Sequence, residues 1–120
     1  MRALVVDDSS TMRAVLRMIL RKKGFEVHEA KNGADAIRTL GTLDQVELIL
    51  LDWNMPEMNG FELLSAIRRD PARVNTKIMM VTTETALDEM TRALDAGANE
   101  YIMKPFTPAA VEDKLQMLGW

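Results

Sequence analysis

The chain has 120 residues, a length that suits one domain spanning residues 1–120. Its 48% hydrophobic and 28% charged residues are ordinary for a soluble globular fold, and a net charge of −3 implies no general attraction to nucleic acid or to membrane surfaces. The absence of cysteine excludes disulfides and thiolate metal sites, and the first apolar run, Ala3 to Val6, is far too short for a signal-peptide core or a membrane span. A cytoplasmic location is expected.

In chain order, Ala3-Leu4-Val5-Val6 reads as a short strand ending in Asp7-Asp8. Asp8, Ser9, Ser10 and Thr11 are N-cap candidates for a helix carrying Met12, Val15, Leu16, Ile19 and Leu20 on its apolar face. Arg21, Lys22 and Lys23 close it as a solvated end, and Gly24 suits the position just past the last turn. Phe25 to Ala30 alternates as a second strand, with His28 half-exposed and without an evident partner, until Asn32-Gly33 breaks it. A short helix with Ile37 and Leu40 stops near Gly41. Leu48 to Leu51 is a third strand, ending at Asp52 and a loop from Trp53 to Asn59.

Phe61, Leu64 and Ile67 mark a third helix that ends before Pro71. The fourth strand is Lys77 to Thr82, and Leu87, Met90 and Leu94 define the helix after it. Asn99 to Lys104 is the fifth strand, and Thr107-Pro108 caps a last helix with Val111, Leu115 and Leu118 inward. The ten methionines are expected mostly in the core.

Strictly alternating strands and helices predict an α/β fold: a doubly wound, five-stranded parallel sheet with right-handed crossovers. The flavodoxin-like strand order 2-1-3-4-5 is the best match. Continuous apolar runs are the mark of strands buried on both faces. Ligands of such sheets bind beyond the carboxyl ends of the strands, where the order reverses, here between the strands ending in Asp7-Asp8 and Asp52. Thr82 and Lys104 end the two strands beyond.

Three carboxylates gathered there require a cation. Two of them about 4 Å apart repel by roughly 4 kcal/mol at an effective dielectric of 20. Lys104 supplies one positive charge. An all-oxygen donor set without histidine or cysteine favours Mg²⁺, or Mn²⁺, for the rest. Asp52 beside such a cation and an ammonium is placed to attack phosphorus and form an acyl phosphate. Thr82 and Lys104 would meet the phosphoryl oxygens. Each residue alone has a plainer reading: Asp8 as a helix cap, Asp52 as a turn residue, Thr82 as a strand end, Lys104 as a solvated charge. Their coincidence on one edge is what argues for a site.

The segments Val5-Val6-Asp7-Asp8, Leu51 through Gly60, Val81-Thr82 and Lys104-Pro105-Phe106 closely resemble the receiver domains of two-component response regulators, especially the single-domain chemotaxis branch. The resemblance covers essentially the whole chain. It implies phosphorylation of Asp52 by a sensor histidine kinase and Mg²⁺ held by Asp7, Asp8, Asp52 and the main-chain carbonyl of Asn54. It further implies phosphoryl binding by Thr82 and Lys104, a cis Lys104-Pro105 peptide, and a Thr82–Tyr101 switch. Asn54 and Glu84 match positions that tune dephosphorylation.

The protein is then a phosphorylatable switch rather than an enzyme with an external substrate, and a monomer. Its output surface is expected on the fourth helix, fifth strand and fifth helix, facing a downstream protein such as the flagellar motor switch. Thr83 stands where a smaller residue is common, Glu57 adds a carboxylate at the mouth, and Met117 replaces an expected lysine near Lys114. The alternatives are a relay intermediate, a receiver cut from a longer regulator, and a haloacid-type phosphatase. The last lacks its second aspartate, because Asn54 stands there.

Overall fold

A computed structural model describes residues 1–83 and 87–120, with Leu87 described by its backbone alone. The strands are β1 (Arg2–Val6), β2 (Glu26–Ala30), β3 (Leu48–Asp52), β4 (Lys77–Thr82) and β5 (Glu100–Met103). The helices are α1 (Ser10–Lys22), α2 (Gly33–Gly41), α3 (Gly60–Arg68), α4 (Leu87–Asp95) and α5 (Pro108–Met117). All strand pairs are parallel, in the order β2-β1-β3-β4-β5. Doubly wound topology and strand order are as the alternation predicts.

Strand alternation divides the core in two. Leu4, Val6, Ile49, Leu51, Ile78 and Met80 point to the face covered by α2, α3 and α4, where they meet Leu63, Leu64, Ile67 and Ala93. Ala3, Val5, Leu48, Leu50, Met79, Val81 and Ile102 point to the other face and meet Leu16 and Leu20 of α1 and Val111 and Leu115 of α5. Every residue of β3 is buried, as a central parallel strand with both faces covered demands.

Helix ends follow local chemistry. The side chains of Ser9, Asn32, Asn59 and Thr107 accept hydrogen bonds from the main-chain N–H groups of Met12, Asp35, Glu62 and Ala110, capping α1, α2, α3 and α5. Gly24, just past α1, has φ +93°, a conformation that suits glycine.

The structure corrects several details. β2 starts at Glu26 rather than Phe25, and β5 spans Glu100–Met103 rather than Asn99 to Lys104. Val15, Ile37 and Leu94 are exposed, since each lies at the rim of its helix's apolar stripe. Of the methionines, Met55, Met79 and Met80 are buried, whereas Met1, Met18, Met103 and Met117 are exposed. His28 does have a partner: its Nε2 lies 2.8 Å from Glu26 Oε2.

Two arginines stitch the amino-terminal edge of the sheet. Arg73 is buried and donates to the carbonyls of Leu40, Leu43 and Asp44. Arg68 donates to the carbonyls of Gly97, Arg73 and Thr76 and to the Asn99 side chain. These bonds tie the connections around α3 to β4 and β5.

Candidate functional site

The carboxyl ends of the strands divide their side chains between the two faces by the same alternation. Asp7 continues the series Ala3, Val5; Asp52 continues Leu48, Leu50; Lys104 follows Ile102. All three therefore emerge on the side of α1 and α5. Trp53, Thr82 and Tyr101 belong to the opposite series, with Met80, and look towards α4.

On the first side, Asp7, Asp8 and Asp52 each offer a carboxylate oxygen, all within 4.8 Å of one another. Asp7 and Asp52 are buried and Asp8 is exposed, so the cluster opens outward through Asp8. The Lys104 ammonium reaches in from the loop after β5, 3.1 Å from Asp7 Oδ2 and 3.4 Å from Asp52 Oδ1. Its own backbone is fixed by an N–H bond to the Thr82 carbonyl at 2.7 Å, and the Lys104-Pro105 peptide is cis. Asp7 is held by its Oδ1, which accepts from Ser9 N–H at 2.8 Å. Arg13 donates to the Asp7 carbonyl at 2.7 Å and pairs with Glu29, which Arg17 also engages. The Asn54 N–H donates to Asp52 Oδ1 at 3.3 Å.

The electrostatics carry an unbalanced negative charge. Burial, and next the charge of Asp7, push the Asp52 carboxyl above its ordinary range, against the opposing pull of Lys104. Burial would lower the Lys104 ammonium, but its bond to Asp7 and the field of Asp52 prevail and hold it high. One ammonium among three carboxylates leaves an oxygen-only donor set suited to a hard divalent cation.

Close packing shapes the loop after β3. A Cβ on Gly60 would lie 2.4 Å from the Asp52 carbonyl oxygen, and Gly60 N–H bonds Trp53 O at 3.0 Å. Helix α3 thus starts directly against the strand end that carries Asp52. Glu57, exposed in this loop, has φ +69°. The Asn54 side-chain amide donates to Thr83 Oγ1 at 3.2 Å, bridging the loops after β3 and β4.

On the second side, Trp53, Thr82, Glu89 and Tyr101 border a small cavity under α4. Thr82 is buried and lines this cavity. The Tyr101 ring carries Lys114 Nζ 5.0 Å from its centroid, and Lys114 also pairs with Glu100 at 3.1 Å. Trp53 packs against Phe61, whose ring lies under the Arg92 guanidinium. Glu84 lies outside the described residues. Sequence reasoning singled out neither Arg13 nor Glu89; the only trace of Glu89 there is an acid in the first turn of a helix.

A family model for the response regulator receiver domain matches residues 3–116. The chain is 44% identical over 119 residues to chemotaxis protein CheY1 of Helicobacter pylori, covering 98% of this chain and 96% of that one. It is 45% identical over 117 residues to a chemotaxis protein CheY homolog of Campylobacter jejuni, covering 97% and 90%. Among solved structures, chemotaxis protein CheY4 of Vibrio cholerae aligns with a TM-score of 0.90 at 34% identity, covering 97% of this chain and 96% of that one. Family match, strand order and acidic cluster agree: the chain belongs to the response regulator receiver domain family and is a CheY-like signalling protein rather than an enzyme.

Proposed function

We propose that this chain is a single receiver domain that accepts a phosphoryl group from a sensor histidine kinase on Asp52 and in response switches the surface of α4, β5 and α5 to bind a downstream protein. The observation that carries the reading is the meeting of Asp7, Asp8 and Asp52 within 4.8 Å, with the Lys104 ammonium on two of them. A carboxylate oxygen of Asp52 attacks phosphorus, the bond to the donor's imidazole nitrogen breaks, and its electron pair leaves with the imidazole. Asp52 then carries an acyl phosphate. Lys104 bonds one phosphoryl oxygen, and Thr82 turns its hydroxyl to another. Asp7, Asp8, Asp52 and the Asn54 carbonyl would hold Mg²⁺, or Mn²⁺, which when bound supplies the positive charge that balances the phosphoryl oxygens. Asn54 and Glu84 tune hydrolysis of the acyl phosphate.

The phosphoryl group adds about −1.5 to −2 charge, and its charge-assisted bonds are worth about 1.5–3 kcal/mol each. One or two such bonds formed only with Thr82 drawn in shift the population roughly tenfold to several-hundredfold. Tyr101 follows, and the surface of α4, β5 and α5 changes. Similarity to chemotaxis proteins supports a chemotaxis output, with a flagellar motor component as the target. Among the described residues no helix is long and apolar enough to cross a membrane, and action as a cytoplasmic monomer fits this role.

Acetyl phosphate with Mg²⁺ tests the reading directly. Intact-mass measurement is expected to show one added phosphoryl group, lost in Asp52→Asn; labelling that survives the substitution overturns the acceptor. Retention of a target by the beryllofluoride-loaded protein, and not by the free protein, tests the output.

A further inference from the structure

The cavity beneath α4 contains an unexplained polar atom. Glu89 Oε2 is buried and has no hydrogen-bond partner. The free volume beside it, about 10 Å³, is at the limit of one water, and the exposed lining is apolar. A buried carboxylate oxygen left without a donor is costly. The side chains around the cavity offer three donors, the Thr82 hydroxyl, the Trp53 indole N–H and the Tyr101 hydroxyl, and the Trp53 ring is packed against Phe61. Thr82 is already engaged, and in the reading above its hydroxyl leaves for the phosphoryl group. Tyr101 borders the same cavity, and it carries an O–H.

Tyr101 has a second attraction, the Lys114 ammonium 5.0 Å from the ring centroid. The tyrosine thus has an ammonium of α5 over its ring and an unpaired carboxylate oxygen of α4 at the cavity it borders. We propose that Glu89 is the inward acceptor for the Tyr101 hydroxyl, so that withdrawal of Thr82 lets the ring enter the cavity and bond Glu89 Oε2. Glu89 is then a positioning residue of the switch. The inference rests on the reading of Asp52 and Thr82 given above.

Asp88, the exposed acid next to Glu89 in the first turn of α4, is the internal control. It acts on the helix dipole as Glu89 does. Tyr101 is the single tyrosine of the chain, so incorporation of 3-fluorotyrosine gives one ¹⁹F resonance.

Beryllofluoride with Mg²⁺ is expected to move that resonance in the unsubstituted protein and in Asp88→Asn. Glu89→Met, which fills the space but accepts no hydrogen bond, is expected to lower the ratio of inward to outward ring roughly ten- to hundredfold, the loss of one bond to a charged acceptor. By reciprocity its affinity for beryllofluoride falls by the same coupling. Glu89→Gln keeps a carbonyl acceptor and is expected to restore most of the shift, so a folding defect in the methionine variant is recognisable. A Glu89→Met resonance that responds as the unsubstituted protein does overturns the assignment of Glu89 and leaves the Asp52 reading standing. An equal loss in Asp88→Asn also overturns it, because the dipole then accounts for the effect. An unsubstituted protein blind to beryllofluoride overturns both.

Discussion

Lys104 lies closer to Asp7 than to Asp52, with Nζ 3.1 Å from the former and 3.4 Å from the latter. The ammonium is therefore first the counter-ion of the buried Asp7. Removing it leaves a buried carboxylate uncompensated, a loss of about 3–5 kcal/mol for a well-buried pair. Lys104→Met is expected to unfold at clearly lower denaturant without a divalent cation. Saturating Mg²⁺, which in the proposed reading the folded state alone binds, should recover much of the difference. Urea melts of both proteins with and without Mg²⁺ measure this, and an equal deficit in both conditions refutes the exchange of one cation for the other.

Asp52 has the opposite balance. Its carboxyl is held above the ordinary value of 3.8 by burial and by Asp7. Between 3.8 and that raised value the folded chain binds more protons than the unfolded one. Stability from this group is thus greatest at low pH, falls as pH rises through the window, and stays reduced above it. Asp52→Asn removes the charge, and at neutral pH without metal it should raise the melting temperature by a few degrees, on the order of 1 kcal/mol. The gain should shrink as pH falls through that window towards 3.8. A gain independent of pH would place its origin outside the charge.

Gly60 fixes where Asp52 sits. With a Cβ 2.4 Å from the Asp52 carbonyl oxygen, Gly60→Ala has to push α3 away from the end of β3. A loss of about 2–4 kcal/mol is expected, together with slower labelling by acetyl phosphate. Gly41 ends α2 with no atom within 4 Å of an added Cβ, so Gly41→Ala should stabilise by about 0.5–1 kcal/mol. Thermal melts of the two variants should therefore move in opposite directions.

Lys114 offers a way to move Tyr101 without touching Asp52. Lys114→Met removes the cation 5.0 Å from the ring, an attraction of about 0.5–1 kcal/mol. The inward ring population in the unphosphorylated protein should rise roughly two- to fivefold, read from the single tyrosine resonance. No change there would show that the contact has no hold on the ring.

Arg73 is a structural counterpart. Its guanidinium is buried, donates to three carbonyls, and leaves Nε unpartnered. Arg73→Met strands those carbonyls and should cost about 3 kcal/mol or more. Because the residue lies at the end of the sheet away from Asp52, beryllofluoride binding to the folded variant should be nearly unchanged, which isothermal titration can check.

The fold was legible because β1, β3 and β4 are continuous apolar runs that a parallel sheet needs, and each ends abruptly at a polar side chain. The switch-point rule was itself framed on folds that include CheY, so its success here is no independent test. The site was legible as far as it consists of strand ends: Asp7, Asp52 and Lys104. What the residues did not reveal depends on tertiary surroundings. Glu89 reads as a solvated first-turn acid until α4 lies over Thr82 and Tyr101. Arg73 gains its role only when α2 and the connection after it bring carbonyls to it. Ile37 and Leu94 read as core until the rim of each helix is located. The strand ends were expected to meet in one place. That they split between two faces follows from period-two alternation, but it requires strand limits to the residue.

The alternation has a spatial consequence. Asp52 and Trp53 are neighbours in the chain but stand on opposite sides of a wall one strand thick, and so do Met103 and Lys104. In the proposed function chemistry occupies one room and readout the other, and the packed interior of the sheet separates them. In that reading communication passes over the top of the wall, at the end of β4, where the proposed movement of Thr82 takes place. A message that crosses at a single threshold travels only a few ångströms. It also depends on how freely that one hydroxyl swings, which makes the tip of β4 the natural place to set the speed of the response.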